Sequence, residues 1–267
     1  MIHKNAVIDE TAKIGQNVEI EANVTIGKNV VIGDNVQIRA GAYLEYCEIG
    51  DGCKISPYAV IGTPPQDLGY TDENTKVIIG KNCQIKEFVT INRASGEGNA
   101  TILGDNCFIM AYAHIAHNCK LENEVIMANG ATIAGHVEVG FGAFLGGMSV
   151  FHQNTRIGEM AIVSGASASR LDICPYAKSE GMPAILMGPN SIGLRRRGLT
   201  KEDRDALHSA MRILKSEHFN TTQALEEIEK TIAPNKYVEK MVEFIRTSKR
   251  GVGLRTNKKA FFASLGE

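Results

Sequence analysis

The sequence predicts a mainly β protein, a parallel β-helix built from hexapeptide repeats, followed by an α-helical C-terminal region. Three observations predict this fold class. A large aliphatic residue recurs at every sixth position, a small residue follows it four positions later, and after Pro183 both patterns give way to helical spacing. A six-residue period favours a parallel β-helix, because each hexapeptide supplies one short strand and one corner. An α-helix would repeat its apolar positions every 3.6 residues instead.

The large aliphatic positions fall into three runs. The first run comprises Ile2, Ile8, Ile14, Ile20, Ile26, Ile32, Ile38 and Leu44. After a slip of one residue, the second comprises Ile49, Ile55, Ile61, Ile79, Ile85 and Ile91. The third comprises Leu103, Ile109, Ile115, Leu121, Met127, Ile133, Val139, Leu145, Phe151, Ile157 and Val163. We expect these side chains to fill the interior, with the accompanying Ala, Val, Cys, Ser or Thr side chains allowing tight turns beside them.

The remaining repeat positions predict the corners and two loops. Glycine and asparagine are common at the expected corners, where a positive φ is easiest for these two residue types. The first such positions are Gly15, Asn17, Gly27, Asn29, Gly33 and Asn35. Residues 63–77 and 93–101 break the period, are polar and contain Pro or Gly. We therefore expect both segments to be loops that leave the coil at a corner.

The loss of the period near Pro183 divides the chain into a β-helix domain, residues 1–185, and a helical region, residues 186–267. Thr200 precedes two acidic residues and is typical of a helix N-cap. Apolar residues then follow at helical spacings of three and four. They are Leu207, Met211, Leu214, Leu225, Ile228 and Ile232.

Pro234 separates that run from a final helix expected around residues 237–245. Beyond Arg250 the sequence shows no clear pattern, so we expect a disordered tail there.

Composition excludes several classes of function. The net charge of −1 argues against a strongly basic nucleic-acid binder. The six cysteines form no CxxC pair, which gives a zinc knuckle or a redox motif little support. No run of 18 apolar residues is present, so no membrane-spanning helix is expected. A cytoplasmic protein with reduced thiols fits these features.

The repeat pattern resembles that of the hexapeptide-repeat superfamily. The resemblance implies a left-handed β-helix of triangular section with 18 residues per coil, whose successive coils stack about 4.8 Å apart. It also implies a homotrimer with active sites between neighbouring subunits.

With 18 residues per coil, His117, Gly135 and Gln153 stack in one column along the helix axis. His136 and His152 flank this column, and the strand that leads to it carries His114. Such a group suits acyl transfer, in which a histidine base takes a proton from an attacking hydroxyl. Gly135 has no side chain, so a substrate oxyanion can approach its N–H closely.

Five sequence motifs indicate a narrower family within this superfamily. They are QDLGY at Gln66–Tyr70, AHIAHNC at Ala113–Cys119, AGHVEVG at Ala134–Gly140, GGMSVFHQ at Gly146–Gln153 and GLRRRGL at Gly193–Leu199. Together they resemble the UDP-N-acetylglucosamine acyltransferase family over nearly the whole chain. The resemblance implies transfer of a (3R)-hydroxyacyl group from acyl carrier protein to the 3-hydroxyl of UDP-N-acetylglucosamine, the first step of lipid A biosynthesis. It implies no metal and no organic cofactor.

The resemblance also assigns roles to individual residues. His117 matches the catalytic base and Gly135 the residue whose N–H holds the oxyanion. Four residues match positions that line the nucleotide-sugar site, namely Asp67, His114, His136 and Gln153. Asn190, Arg196 and Arg197 match the C-terminal group that meets the nucleotide from a neighbouring subunit. We also expect Asn92 to contact the substrate, although its residue type departs from the family pattern. Arginine pairs suit a diphosphate because a guanidinium group offers paired donors. Gly165 matches the position where the family measures acyl length, and a glycine there leaves room for a long chain. Gly147 lies one coil earlier, so we expect both glycines to line the acyl-chain pocket.

Four positions depart from the family pattern. Gly69 stands where many members have Lys, Asn92 where many have His, Asn118 where Asp often follows the base, and Ile192 where a Glu lies near the nucleotide. The changes at Gly69 and Asn92 leave the acceptor open. A UDP-sugar with a 3-amino group, acylated to an amide, is the alternative substrate.

Three rival functions remain to be weighed. A γ-type carbonic anhydrase on the same fold would need three histidines at one metal and gives the helical region no role. The N-acyltransferase of the same pathway carries an additional domain before its repeats, whereas the repeats here start at Ile2. A non-catalytic scaffold that binds acyl carrier protein leaves the His117, Gly135 and Gln153 column unexplained.

Overall fold

The computed structural model describes residues 1–255 and contains 27 short strands and four helices. The first nine strands are β1 Val7–Ile8, β2 Lys13–Ile14, β3 Glu19–Ile20, β4 Thr25–Ile26, β5 Val31–Ile32, β6 Gln37–Ile38, β7 Tyr43–Leu44, β8 Cys47–Ile49 and β9 Lys54–Ile55. The next nine are β10 Val60–Thr63, β11 Lys76–Ile79, β12 Gln84–Ile85, β13 Thr90–Asn92, β14 Ala100–Leu103, β15 Phe108–Ile109, β16 His114–Ile115, β17 Lys120–Leu121 and β18 Ile126–Met127. The last nine are β19 Thr132–Ile133, β20 Glu138–Val139, β21 Phe144–Leu145, β22 Val150–Phe151, β23 Arg156–Ile157, β24 Ile162–Val163, β25 Ala168–Ser169, β26 Ala177–Gly181 and β27 Ala184–Pro189.

Successive strands belong to three different sheets in turn, so every third strand pairs with the one before it. The first sheet runs β1-β4-β7-β10-β13-β16-β19-β22-β25, and the second runs β2-β5-β8-β11-β14-β17-β20-β23. The third runs from β3 through β6, β9, β12, β15, β18, β21 and β24 to β26 and β27. Pairing is parallel throughout except between β26 and β27. The three sheets are the faces of a coil, which confirms the hexapeptide prediction.

Three edges join the sheets. We call the corners between the first and second sheets the first edge, those between the second and third sheets the second edge, and those between the third and first sheets the third edge. Both long loops leave from the first edge. Residues 64–75 connect β10 to β11, and residues 93–99 connect β13 to β14, within the predicted loop ranges.

The interior contains the predicted residues. From Ile20 to Val163, the large aliphatic positions of the three runs are at most 3% exposed, and they form one continuous cluster with the small positions. Burial of these apolar side chains contributes roughly 25 cal/mol per Å² removed from water. The slip after Leu44 is also present, because Ile32 pairs with Ile49, one residue short of the regular spacing.

The prediction of positive φ at the corner glycines was wrong for Gly15, Gly27 and Gly33. The neighbouring asparagines do take positive φ values between 54° and 58°, for example at Asn17 and Asn29. The glycines serve close packing between coils instead. A Cβ on Gly15 would lie 2.7 Å from the Gly33 carbonyl oxygen of the next coil. A side chain there would force adjacent coils apart.

The third edge carries an exposed apolar stripe that we call the aromatic ladder. The rings of Tyr58, Phe88 and Tyr112 stack in parallel with centroid separations of 5.4 Å and 5.1 Å. Met148 continues the stripe and is 68% exposed. All four residues have φ between 58° and 62°, a conformation that bulky residues rarely adopt. Because the same conformation recurs at corners along the whole coil, the feature that sets this stripe apart is its exposed apolar surface.

The β-helix ends in a hairpin that the sequence analysis did not predict. β26 joins the third sheet in parallel with β24, and β27 returns antiparallel along β26. The predicted domain boundary between residues 185 and 186 therefore falls inside β27. The hexapeptide period stops before this strand, but backbone pairing continues to Pro189 because a hairpin needs no six-residue repeat.

Four helices follow the hairpin. They are α1 Ser191–Arg196, α2 Lys201–Lys215, α3 Thr221–Thr231 and α4 Lys236–Arg246. Thr200 caps α2 through a capping box with Asp203, as its position before the acidic residues predicted. The short helix α1 was missed because its six residues are too few to show a period. The buried faces of the helices form a second core together with Tyr176 and Leu186.

The segment after Arg250 returns to the β-helix as far as it is described. Val252 pairs with Asp172, and the Leu186 N–H donates to the Gly253 carbonyl at 2.8 Å. The predicted disorder is therefore wrong for residues 251–255, while residues 256–267 lie outside the described part of the chain. Within residues 1–255, no helix has both the length and the apolar character to cross a membrane.

The close approach of the coils makes Gly50 sensitive to substitution. A Cβ on Gly50 would lie 2.6 Å from the Gly80 carbonyl oxygen, whereas one on Gly27, which also directly follows a buried isoleucine, would meet Glu45 at 3.1 Å. We expect Gly50→Ala to lower the free energy of unfolding by about 1–3 kcal/mol, as overpacking does. Gly27→Ala should lower it less. Equal denaturation midpoints for the two variants would contradict this account of the glycines.

Candidate active site on the first edge

The first edge brings the predicted column together. The His136 N–H donates to the His117 carbonyl at 3.0 Å, and the Asn154 N–H donates to the Gly135 carbonyl at 3.0 Å. These bonds stack three successive corners. They place His117, Gly135 and Gln153 one above another beside a cavity of about 450 Å³. The cavity is lined by Gln66, Asp67, Leu68, His117, His136, Gln153 and Asn154.

The His117 ring lies directly over Gly135. A Cβ on Gly135 would be 2.6 Å from both Cε1 and Nε2 of the imidazole. Only a glycine therefore leaves room for this ring position. The Gly135 N–H donates no hydrogen bond to another group within residues 1–255. The Nε2 atom and an unused N–H thus lie close together, and acyl transfer needs a base and an oxyanion donor in such a pair.

The opposite side of the same ring is held by two residues that the sequence analysis did not single out as a pair. His117 Nδ1 lies 2.8 Å from Asn118 Oδ1 and 3.3 Å from Ser95 Oγ. Asn118 departs from the family pattern, and its adjacency to His117 is the signal in the sequence that points to this contact. Ser95 lies in an inserted loop outside the repeat, where the sequence offers no register to predict a contact.

Asp67 reaches the cavity from the 64–75 loop. The Gly69 N–H donates to Asp67 Oδ1 at 2.9 Å. This hydrogen bond, the Ser95 hydroxyl and the nearby imidazoles of His117 and His136 hold the pKa of Asp67 below its ordinary value. The site therefore presents a carboxylate near neutral pH, next to the two histidines.

The surroundings of His114 and His136 favour the neutral form of both imidazoles. Burial lowers the pKa of His114, and repulsion from His117 lowers it further. Burial also lowers the pKa of His136, again with repulsion from His117 and with partial compensation from Asp67. The rings of His117 and His136 meet edge to face with centroids 5.2 Å apart. His114 lies on β16, the strand that leads to the His117 corner, with Nδ1 2.7 Å from Thr90 Oγ1.

Arg93 holds the two loops of the first edge against the coil. It is 5% exposed, with its guanidinium 4.4 Å from the Tyr46 ring centroid and 3.1 Å from Glu45. Its Nε donates to the Tyr70 hydroxyl at 3.0 Å. This buried cation thereby anchors the 64–75 loop that carries Asp67. Sequence reasoning missed it, since the ring partners are distant along the chain.

Asn92 lies in a different place from the cavity-lining residues. Its side chain is buried, and Nδ2 donates to the Thr63 hydroxyl at 3.1 Å and to the Pro64 carbonyl at 3.0 Å. Its Oδ1 has no hydrogen-bond partner within residues 1–255. Within one chain, Asn92 therefore supports the start of the 64–75 loop and does not face the cavity.

The remaining predicted site residues lie on the other two edges. Asn190 caps α1 and donates to the Met160 carbonyl at 2.9 Å on the second edge. Arg197 binds Glu124 at 2.8 Å and lies over the Phe141 ring on the same edge, while Arg196 is exposed.

Gly147 and Gly165 stack on the third edge, as their spacing of one coil predicted. A Cβ on Gly165 would lie 3.1 Å from the Gly147 carbonyl oxygen. The predicted base, nucleotide-binding and acyl-chain residues are thus distributed over three edges of one chain. None of the predicted residues on the second and third edges lines the cavity on the first edge.

The fold and this site define a class of protein, a hexapeptide-repeat acyltransferase with a helical C-terminal region. Family models match residues 172–253 as UDP-N-acetylglucosamine O-acyltransferase domain 2, residues 100–135 as six bacterial transferase hexapeptide repeats, and residues 1–95 as a GMPPB C-terminal domain. A curated acyl-[acyl-carrier-protein]–UDP-N-acetylglucosamine O-acyltransferase from Campylobacter concisus is 44% identical over 95% of this chain and 97% of its own length.

Solved structures agree with that relative. A UDP-N-acetylglucosamine acyltransferase from Bacteroides fragilis superposes with a TM-score of 0.92 at 39% identity, covering 94% of this chain and 99% of the other. The enzyme of the same name from Campylobacter jejuni gives 0.89 at 40% identity, covering 95% and 99%. The chain therefore belongs to the acyl-[acyl-carrier-protein]–UDP-N-acetylglucosamine O-acyltransferase family. The predictions of a left-handed β-helix and of an acyltransferase are confirmed.

The contact between His117 and Gly135 predicts a sharp effect of one methyl group. We expect Gly135→Ala to displace the imidazole and to lower acyl transfer roughly 10²-fold, as a misplacement of about 1 Å does. Steady-state transfer assays on the folded variant would measure this loss. Gly27→Ala, a change on the same edge far from the cavity, serves as the control. Full activity of Gly135→Ala would show that the ring does not need this position.

Proposed function

We propose that this chain transfers a (3R)-hydroxyacyl group from the thioester of acyl carrier protein to the 3-hydroxyl of UDP-N-acetylglucosamine, as the first step of lipid A biosynthesis. The single observation that carries the proposal is the position of His117 Nε2 over Gly135, whose N–H is unused, beside the cavity. The names of the relatives support the donor and the acceptor.

The mechanism follows from these groups. His117 Nε2 accepts the proton of the attacking hydroxyl while the oxygen forms a bond to the thioester carbonyl carbon. The Gly135 N–H stabilises the oxyanion of the tetrahedral intermediate. When the carbon–sulfur bond breaks, the imidazolium returns its proton to the departing thiolate. Bonds and protons balance in this sequence without a cofactor.

The distribution of residues over three edges supports a homotrimer. In the proposed assembly, the second and third edges of neighbouring copies approach the first edge. They bring Asn190, Arg196 and Arg197 to the nucleotide and Gly147 and Gly165 to the acyl chain. The exposed aromatic ladder shares the third edge with the two glycines, and a second copy would remove its apolar surface from water.

Acyl carrier protein is an acidic partner, so basic side chains near the site suit it. Arg195 and Arg196 in the last turn of α1 and Lys201 at the start of α2 are exposed. Arg250 lies near the site itself, with Nη2 3.2 Å from His152 Nδ1. These cations would increase the association rate at low ionic strength.

A second acceptor is favoured by the charges at the cavity. Gly69 contributes no side chain, and Asn92 is turned into the protein, so neither offers a cation beside the sugar. Asp67 contributes a carboxylate. This balance suits a UDP-sugar with a 3-amino group, whose acylation would give an amide. Its nitrogen would attack as the neutral amine, with His117 again taking a proton.

The base can be tested with both acceptors at once. We expect His117→Ala to lower transfer from (3R)-hydroxyacyl carrier protein by roughly 10²–10⁴-fold, because the attacking group loses its proton acceptor. The faster of the hydroxyl and amino sugars identifies the acceptor. His3→Ala, an exposed histidine near the N-terminus, is the control. Unimpaired turnover by His117→Ala would remove the proposed role of this residue. A strict preference for the hydroxyl would remove the amino sugar.

The trimer can be tested through the aromatic ladder. We expect Tyr112→Glu to weaken association, because a carboxylate would be buried in an apolar interface. Tyr112 has φ 62°, and Glu124 shows that a glutamate takes nearly the same conformation, φ 59°, at another corner of this coil. The substitution should therefore not disturb the backbone. Light scattering coupled to size exclusion measures the molar mass. Val31→Glu, an exposed apolar position on the second sheet, is the control. A trimeric Tyr112→Glu protein or a monomeric wild type would contradict the proposed interface.

A further inference from the structure

Asn118 and Ser95 form a small hydrogen-bond network on the Nδ1 side of His117, and the proposed acyl-transfer steps give this network no role. Asn118 Oδ1 accepts the Ser95 N–H at 2.9 Å and lies 3.2 Å from the Ser95 hydroxyl. Asn118 Nδ2 donates to the Ser95 carbonyl at 3.0 Å. Ser95 belongs to the 93–99 loop, so this loop closes over the base from the side opposite Gly135.

The network determines which way the Asn118 amide faces. A backbone N–H can only donate and a carbonyl can only accept, so Ser95 requires Oδ1 on one side of the amide and Nδ2 on the other. Oδ1 is therefore the atom that faces His117. An amide oxygen has no hydrogen to give, so the hydrogen between Asn118 and His117 must be on Nδ1. The neutral ring then carries its free lone pair on Nε2.

Asn118 is well placed to hold this arrangement. Its φ of 60° is a conformation that asparagine tolerates better than most residues, and its N–H donates to Thr101 Oγ1 at 2.9 Å. The loop side is also tied down, because Asn99 Nδ2 donates to the Ser95 carbonyl at 3.0 Å. Asn118 is thus fixed to the coil through its N–H, and Ser95 is held through its backbone by Asn118 and by Asn99 of its own loop.

We propose that Asn118 and Ser95 are positioning residues that lock His117 in the tautomer protonated on Nδ1 and hold Nε2 over Gly135 as the base. This inference rests on the proposed function of His117. In a neutral imidazole, the hydrogen bond made by one nitrogen sets the state of the other. The lock therefore acts before substrate binds, since the ring needs neither rotation nor proton exchange between its nitrogens.

The lock is electrically neutral, which distinguishes it from a carboxylate partner. The titratable groups that face the ring are Asp67 from the 64–75 loop, His136 from the next coil and His114 from the same coil. A carboxylate at position 118 would add a negative charge in contact with Nδ1 and would favour the protonated imidazole. The base would then be available only at higher pH.

Two substitutions at position 118 test the proposal. Asn118→Gly removes the amide without backbone strain at positive φ, and we expect kcat to fall roughly 10- to 100-fold with little change in KM. Asn118→Asp keeps the acceptor, so we expect most of the activity at high pH. The acid limb of kcat/KM should move upward by about one pH unit or more.

A direct measurement of the tautomer is independent of turnover. In ¹⁵N-histidine-labelled protein, with His117→Ala used for assignment, the two ring nitrogens of His117 should show the Nδ1–H form in the wild type. Asn118→Gly should give a mixture of the two tautomers. An Nε2–H form in the wild type, or an unchanged tautomer in Asn118→Gly, would overturn the lock. Failure of the proposed acyl transfer would leave this spectrum unaffected, so the two results are distinguishable.

The matched controls lie on the same edge and in the loop. Asn29 has φ 54° at a first-edge corner near the N-terminus, so Asn29→Gly and Asn29→Asp repeat both changes away from the site. We expect them to leave kcat and the pH profile unchanged. Ser95→Ala keeps the backbone N–H that orients Asn118, so its kcat should fall only about three- to tenfold. A loss in Ser95→Ala larger than in Asn118→Gly, or an unmoved acid limb in Asn118→Asp, would contradict the proposal.

Discussion

The stacking of coils is the constraint on which the rest of the structure depends. Each strand inside a sheet pairs with the strand one coil earlier and the strand one coil later, and most strands have only two residues. The aliphatic side chains of these strands fill the interior. Because no strand is long enough to be stable alone, the hydrogen-bonded columns and the continuous core stabilise one another. Glycines such as Gly15 and Gly50 permit the close approach of backbones that this stacking requires.

Stacking also explains how a rigid site arises from corners. His117 and Gly135 are neighbours because their coils are hydrogen-bonded through the His136 N–H, and a side chain at position 135 would collide with the imidazole. The two loops of the first edge then add groups that the repeat cannot supply, Asp67 on one side and Ser95 on the other. A regular scaffold thus positions the proposed base and oxyanion donor, while the irregular insertions give His117 its hydrogen-bond partners.

The three edges of the triangular coil carry different kinds of side chains. Histidines and the two loops occupy the first edge, the Arg197 and Asn190 contacts the second, and the stacked glycines and the aromatic ladder the third. A substrate with a nucleotide, a sugar and a long acyl chain would need all three environments. In the proposed assembly of identical copies around a common axis, each copy would offer a different edge to each neighbour.

The sequence by itself determined the coil, the interior residues, the capped helix α2 and the column of His117, Gly135 and Gln153. All of these follow from a fixed period or from a local cap. Only the tertiary structure decided the hairpin of β26 and β27, the burial of Asn92 and Arg93, and the Ser95 contact with Asn118 and His117. These contacts involve loops and a return strand that have no fixed sequence period. Outside a repeat, the spacing of residues along the chain does not determine which residues meet, so only the folded structure shows these contacts.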